Sequence, residues 1–203
     1  MNTNETLSRN KKLALTGAFS ALVIVLGITR LGFISLSPTA SITILHIPVF
    51  LVAMLAGLPY SVFVGAIFGI FSLIQASMNP SGILDPVFIN PLCSVLPRMI
   101  VAVISWGIWK LLNLIPRMPK AVSAGINGFI SSFCHTLIVI GCWFIFEGKV
   151  VREGMGGAGY FGVIGSLAFN SVLESIASTI VCAAVFAGIF ISKNRKSKLS
   201  QEQ

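Results

Sequence analysis

Charge is what this sequence has least of. Lys, Arg, Asp and Glu make up 10% of its 203 residues, against about 25% in soluble domains, so water is not its main solvent. Cysteine is down to four residues and histidine to two, with no CxxC pair, so neither a disulfide framework nor a zinc site is written into the chain. Cys93, Cys134, Cys142 and Cys182 lie in or beside apolar segments and read as small hydrophobes. No GxxxxGK[ST] and no HExxH occurs, so the chain has no ATP-hydrolysing P-loop or zinc-protease signature of its own. The one GxGxxG match, Gly154 to Gly159, has no strand–turn–helix context for a dinucleotide and is read as a flexible flap in an outer loop. No catalytic residue, metal or cofactor is expected.

What the sequence has in abundance is apolar surface, 55% of residues. About 20 apolar residues cross a bilayer, and the expected spans are 12–29, 42–57, 59–76, 93–112, 121–146 and 163–191. The reading is an all-α integral membrane protein with six transmembrane helices, forming a single membrane domain over 1–203 with a basic cytoplasmic tail at 193–203. Lys11 and Lys12 ahead of an apolar run mimic a signal peptide, but five further apolar runs follow, so this is read as a retained first span. Arg9, Lys11, Lys12, Lys110, Arg117, Lys120, Lys193, Arg195, Lys196 and Lys198 all fall on one side of a six-span chain, which places both termini in the cytoplasm. The net charge of +8 thus orients the protein in the lipid bilayer and does not point to nucleic acid. The connections at 30–41, 77–92 and 147–162 are the longer ones, all on the outer face, where function is ordinarily carried.

Against this background a few polar groups stand out. Arg98 lies just inside the fourth span, where a fixed cation costs about 2.5–3.5 kcal/mol at the bilayer centre. Ser123, Asn127, Ser131 and His135 recur every four residues in the fifth span, and Ser166, Asn170, Glu174 and Ser178 do so in the sixth; each set lies on one helical face. At ~1.5 Å per residue, His135 and Glu174 both lie roughly 16 Å from the outer surface, at a level where they can pair. His46 and Thr43 open the second span at the level of Arg98, with His46 able to pin the start of the helix. Gln75, Asn79, Asp85 and Asn90 sit at the outer end of the third span and in the following loop. The candidate substrate-binding set is Arg98, Asn170, Glu174, His135, His46, Asn90 and Gln75, a pocket open to the outside. Phe33, Phe88 and Tyr160 are the aromatics near its mouth, few for sandwiching a large flat ring.

Small residues recur at helical spacing in three spans: Ala14, Gly17, Ala18 and Ala21 in the first, Gly65 and Gly69 in the third, Ala184 and Gly188 in the sixth. Such faces let helices approach closely in lipid, most simply within the chain itself. Lys12-Leu13-Ala14-Leu15-Thr16-Gly17-Ala18, His46-Ile47-Pro48-Val49, Gly65 to Ser72 and Asn90-Pro91-Leu92-Cys93-Ser94-Val95-Leu96-Pro97-Arg98, in that order and spacing, resemble the substrate-binding S-components of energy-coupling-factor (ECF) vitamin transporters, in their pantothenate- and riboflavin-like branch. The resemblance implies a protein of a bacterial cell membrane that captures a vitamin in its outer half. It further implies association with a membrane coupling (T) subunit and two cytoplasmic ATPase subunits, and toppling to release the cargo. Ala14 and Ala18 would then dock on the coupling subunit.

A guanidinium grips a carboxylate bidentately, which favours pantothenate over riboflavin, a pyridoxine-type vitamin or cobalamin. Three rival readings remain open from the sequence. They are a stand-alone proton-coupled carrier with His135 and Glu174 as its relay, an intramembrane enzyme, and a structural subunit whose polar stripes only join helices.

Overall fold

The computed structural model describes residues 7–29, 31–37, 40–78 and 84–199. Asn79, in the second outer loop, and residues 200–203 of the basic tail lie outside the described residues. Helix α1 (Arg9–Ile28) is followed by an antiparallel hairpin, β1 (Phe33–Ser37) and β2 (Ala40–Thr43), then α2 (Ile47–Leu55) and α3 (Leu58–Met78). A 3-10 turn (Asp85–Ile89) and the single-turn α4 (Pro91–Ser94) lead into α5 (Leu96–Leu112), α6 (Lys120–Gly154) and α7 (Tyr160–Leu199).

Five of these segments are long and apolar enough to cross a membrane: α1, α3, Pro91–Leu112, α6 and α7. The stretch expected as the second of six spans is different. It begins as a strand, turns at Leu45-His46, and continues as a helix of nine residues, only ~14 Å long. Two local features set that length: Pro48 in the first turn favours a helix start, and Gly57, with φ +101°, ends the run in a backbone region that only glycine adopts freely. Ile47 through Met54 are all buried, because α2 packs against α1, α3, α5, α6 and α7. An apolar run cannot by itself tell a span that faces lipid from a short helix enclosed by protein.

The connection expected at 147–162 is also shorter, because α6 continues to Gly154 and α7 begins at Tyr160. The glycines of the GxGxxG match form the turn between them. Gly156 (φ +62°) and Gly157 (φ +85°) reverse the chain, and Gly157 N–H closes back on Arg152 O at 2.6 Å.

Close helix approaches follow the small residues. A methyl group on Gly65 would stand 2.6 Å from Arg98 O, and one on Gly69 would stand 2.5 Å from Val95 Cα, so α3 meets the start of α5 backbone to backbone. Gly128 does the same between α6 and α7, 2.7 Å from Ser178 O. By contrast, Ala184 and Gly188 are exposed and Gly188 has open space beside it. Two apolar cores result. One gathers Val49, Phe50, Val52, Val64, Phe68 and Val101 around α2; the other gathers Val87, Cys93, Val139, Ile140, Trp143 and Val151 where α6 meets the 3-10 turn and α4.

Candidate functional site

Arg98 lies at the junction of the two cores. Its Nη1 donates to Cys93 O at 2.9 Å, and its guanidinium carbon lies 5.3 Å from the Phe68 ring centre and 4.8 Å from that of Phe88. Phe68 belongs to the core around α2 and Phe88 packs on the second core, so the cation is held between two ring faces, which attract it through their quadrupoles. It is 5% exposed, yet its Nε–H has no partner among the described residues. An arginine fixed this way retains a free donor edge, the geometry that receives a carboxylate.

The Phe68 ring also lies 6.3 Å from the His135 ring, which stacks on His46 at 5.2 Å. His46, with 0% exposure, occupies the position before α2 but does not cap it with its side chain. Instead its Nε2 shares hydrogen bonds with Ser178 Oγ (2.9 Å) and Ser132 Oγ (3.2 Å). The ring thus pins the start of α2 to both α6 and α7. His46 Nδ1 and both His135 nitrogens are buried without a partner among the described residues. No hydrogen bond joins His135 to Glu174 there; sharing a depth did not make them neighbours.

On α7, Glu174 Oε1 accepts the Thr43 backbone N–H at 2.6 Å, tying the hairpin to the helix row that carries Ser178. Asn170, one turn further out, and Ser171 are buried, and Asn170 Oδ1 and Ser171 Oγ have no partner among the described residues. Ser166, the outermost member of the expected row, is exposed and bonds back to Val163 O. On α6 the inner end of the row is satisfied internally: Ser131 Oγ donates to Asn127 Oδ1 (3.0 Å), and Asn127 Nδ2 donates to Ser105 Oγ (3.2 Å).

The structure therefore brings Arg98, His135 and His46 together through Phe68, and joins His46 to the α7 row of Asn170 and Glu174. Gln75 is half-buried near the outer end of α3, with its Oε1 unpartnered among the described residues. Asn90 has other commitments: Oδ1 caps α4 at Leu92 N (3.0 Å) and Nδ2 donates to Glu147 Oε1 (2.7 Å). Sequence reasoning missed Phe68 and Trp143. The Trp143 ring meets Phe88 edge-on at 5.2 Å, and its indole N–H is buried with no partner among the described residues. A signal existed, because Trp143 continues the every-fourth-residue row of Ser131, His135 and Val139.

Unpaired buried polar atoms are costly, and the candidate residues carry several among the described residues: donors on Arg98 and Trp143, an acceptor on Asn170, and groups of either kind on the histidines and Ser171. Such a set suits a small ligand bearing an anionic end and hydroxyl or amide groups. Among the described residues no three His, Cys, Asp or Glu side chains are grouped to hold a metal. A groove of about 120 Å³ between α1 and α2, edged by Ile44 and Val181, is wholly apolar and shares no residue with this cluster, so it offers such a ligand nothing.

Comparison with known proteins gives the same direction. The chain is 28% identical over 187 residues to the pantothenate transporter PanT of Leuconostoc mesenteroides, covering 88% of this chain and 91% of that protein. It is 22% identical over 202 residues to the pantothenic acid transporter PanT of Lactococcus lactis, covering 92% and 97%. Residues 11–192 match the family described as the substrate-specific component of ECF transporters. A match across nearly the whole chain settles its membership: this protein belongs to the ECF transporter substrate-specific components.

Proposed function

We propose that this chain is the pantothenate-capturing subunit of its ECF transporter. The observation that carries the reading is the Arg98 arrangement: a buried guanidinium fixed by the Cys93 carbonyl and two aromatic rings, with its Nε–H unspent. Pantothenate offers a carboxylate for that edge. Its amide and two hydroxyls match the unpaired groups of Asn170, Ser171, His135 and Trp143, and its gem-dimethyl centre matches the Phe68 and Phe88 faces. Both relatives are pantothenate transporters, which supports the same choice.

In this reading Arg98, Asn170 and His135 touch the ligand directly. Glu174 and His46 hold the hairpin and α2 around it, Gln75 lines the outer rim, and Asn90 acts from behind Arg98. The chain is a single membrane domain in a bacterial plasma membrane, with both termini cytoplasmic as the basic residues require. A membrane coupling subunit and two ATPases drive it, with Ala14 and Ala18 at the contact. Both are exposed on α1, and Gly17 between them has open space beside it. A self-contained proton carrier loses its main support, since its two relay groups are bonded elsewhere or unpaired.

Calorimetric titration of the purified, ligand-stripped protein in detergent tests the assignment. Nanomolar binding of pantothenate, with riboflavin, pyridoxine and cobalamin silent, is the expected result. Tight binding of one of the others instead would overturn it.

A further inference from the structure

We propose that Glu147 is a positioning residue for ligand binding: through Asn90 and α4 it holds the Cys93 carbonyl where that carbonyl orients the Arg98 guanidinium. The inference rests on Arg98 being the anchor of the ligand's carboxylate.

The connection can be followed bond by bond. Glu147 Oε1 accepts Asn90 Nδ2 at 2.7 Å. Asn90 Oδ1 caps α4 at Leu92 N, and its backbone oxygen accepts Cys93 N–H (2.9 Å), Ser94 N–H (3.0 Å) and Ser94 Oγ (3.2 Å). Asn90 thereby sets the orientation of the whole four-residue turn. Within that turn Pro91 O accepts Val95 N–H (2.8 Å), and the carbonyl of Cys93, three residues after Asn90, takes Arg98 Nη1 at 2.9 Å. Among the described residues the turn's other hydrogen bond to α6 is a thiol contact, Cys93 Sγ to Cys142 O at 3.7 Å, far weaker than a charge-assisted bond to a carboxylate.

Glu147 is also where α6 departs from helical geometry, at φ −135° and ψ 28°. A break at that residue lets its side chain leave the helical row that Trp143 follows and reach the loop. The same loop carries Phe88, one face of the Arg98 clamp. Apolar packing of Val87 and Cys93 against α6 already tethers the segment, so the carboxylate's distinct contribution is orientation.

The test compares pantothenate with its alcohol analogue, in which CH2OH replaces the carboxylate, on wild type, Glu147→Ala, Glu147→Gln and Asn90→Asp. Asn90→Asp keeps an α4 cap but sets a second carboxylate against Glu147. Glu147→Ala and Asn90→Asp are expected to weaken pantothenate about tenfold, the loss of one charge-assisted contact, and to leave the alcohol unchanged. Glu147→Gln, whose amide oxygen still accepts from Asn90, restores the preference. An equal loss for both ligands, or no loss, overturns the proposal.

A readout free of ligand separates this from the assignment itself. The Arg98 Nε–H resonance of 15N-arginine-labelled protein, identified by its absence in Arg98→Lys, should move in Glu147→Ala and stay in Glu147→Gln. If wild type ignores pantothenate, the assignment fails, and the resonance alone then decides the positioning role: an unmoved signal refutes it.

Discussion

Arg98 pays its desolvation cost with one carbonyl and two ring faces, and keeps an edge in reserve. Replacing it with alanine is expected to weaken pantothenate at least tenfold, the order of one charged hydrogen bond, while the protein stays monodisperse with near-native helix content. Unchanged affinity would remove the carboxylate clamp. Arg98→Lys keeps the charge but loses the planar fork and much of the stacking, so it should recover only part of the affinity. Trp143→Phe keeps a ring against Phe88 and deletes an N–H that is unpartnered among the described residues. Thermal stability should hold or rise slightly, since an unpaired buried donor is removed, while affinity drops severalfold if the indole meets the ligand. A fall in stability with intact affinity would make Trp143 a packing residue. Arg98, His135, Asn170 and Glu174 were legible as polar exceptions in an apolar chain. Trp143 was legible only as the outer continuation of the Ser131–His135–Val139 row, because an apolar ring in an apolar helix raises no alarm until its N–H proves unpartnered among the described residues.

At the scale of elements, close backbone approach carries the site. Because Gly65 abuts the carbonyl of Arg98 itself, Gly65→Ala should cost about 1–3 kcal/mol as an overpacked contact and reduce affinity as well, by shifting the backbone that presents the guanidinium. Gly188→Ala, with open space around it, should change neither; thermal shift and titration on the two variants make the comparison. The sequence marks both positions alike, as small-xxx-small pairs, and only the packing separates one buried in a helix contact from one on the surface. The same holds for α2. Its run of apolar residues gives no length for the helix within it, which the proline at its start, the glycine after its end and its enclosure by five neighbours determine.

Considered whole, the molecule keeps the two surfaces of the proposed function, ligand capture and coupling, on different elements. The polar cluster is walled by α3, α5, α6 and α7, while the small-residue face of α1 with Ala14, Gly17, Ala18 and Ala21 is exposed. Ala14→Leu and Ala18→Leu are therefore expected to leave pantothenate binding intact and to abolish ATP-driven uptake in vesicles holding the complete transporter, by filling the groove where a partner helix would seat. Uptake surviving both changes would move the coupling surface elsewhere. His46, held by Ser132 and Ser178, ties the buried α2 to α6 and α7, the helices that carry His135 and the Asn170–Glu174 row.

The sequence by itself determined that this chain lives in a membrane, where its apolar runs lie, and which polar side chains are too deep to be incidental. Hydropathy and a fixed rise per residue encode those facts locally, residue by residue. Lateral neighbours are not encoded that way. That Glu174 meets a strand N–H rather than His135, that the two histidines stack, that Asn90 faces Glu147 across 57 positions, and that Arg98 is clasped by rings from two different segments were decided by tertiary packing. Depth along a helix is additive and can be counted, whereas rotation and partnership depend on every surrounding helix at once.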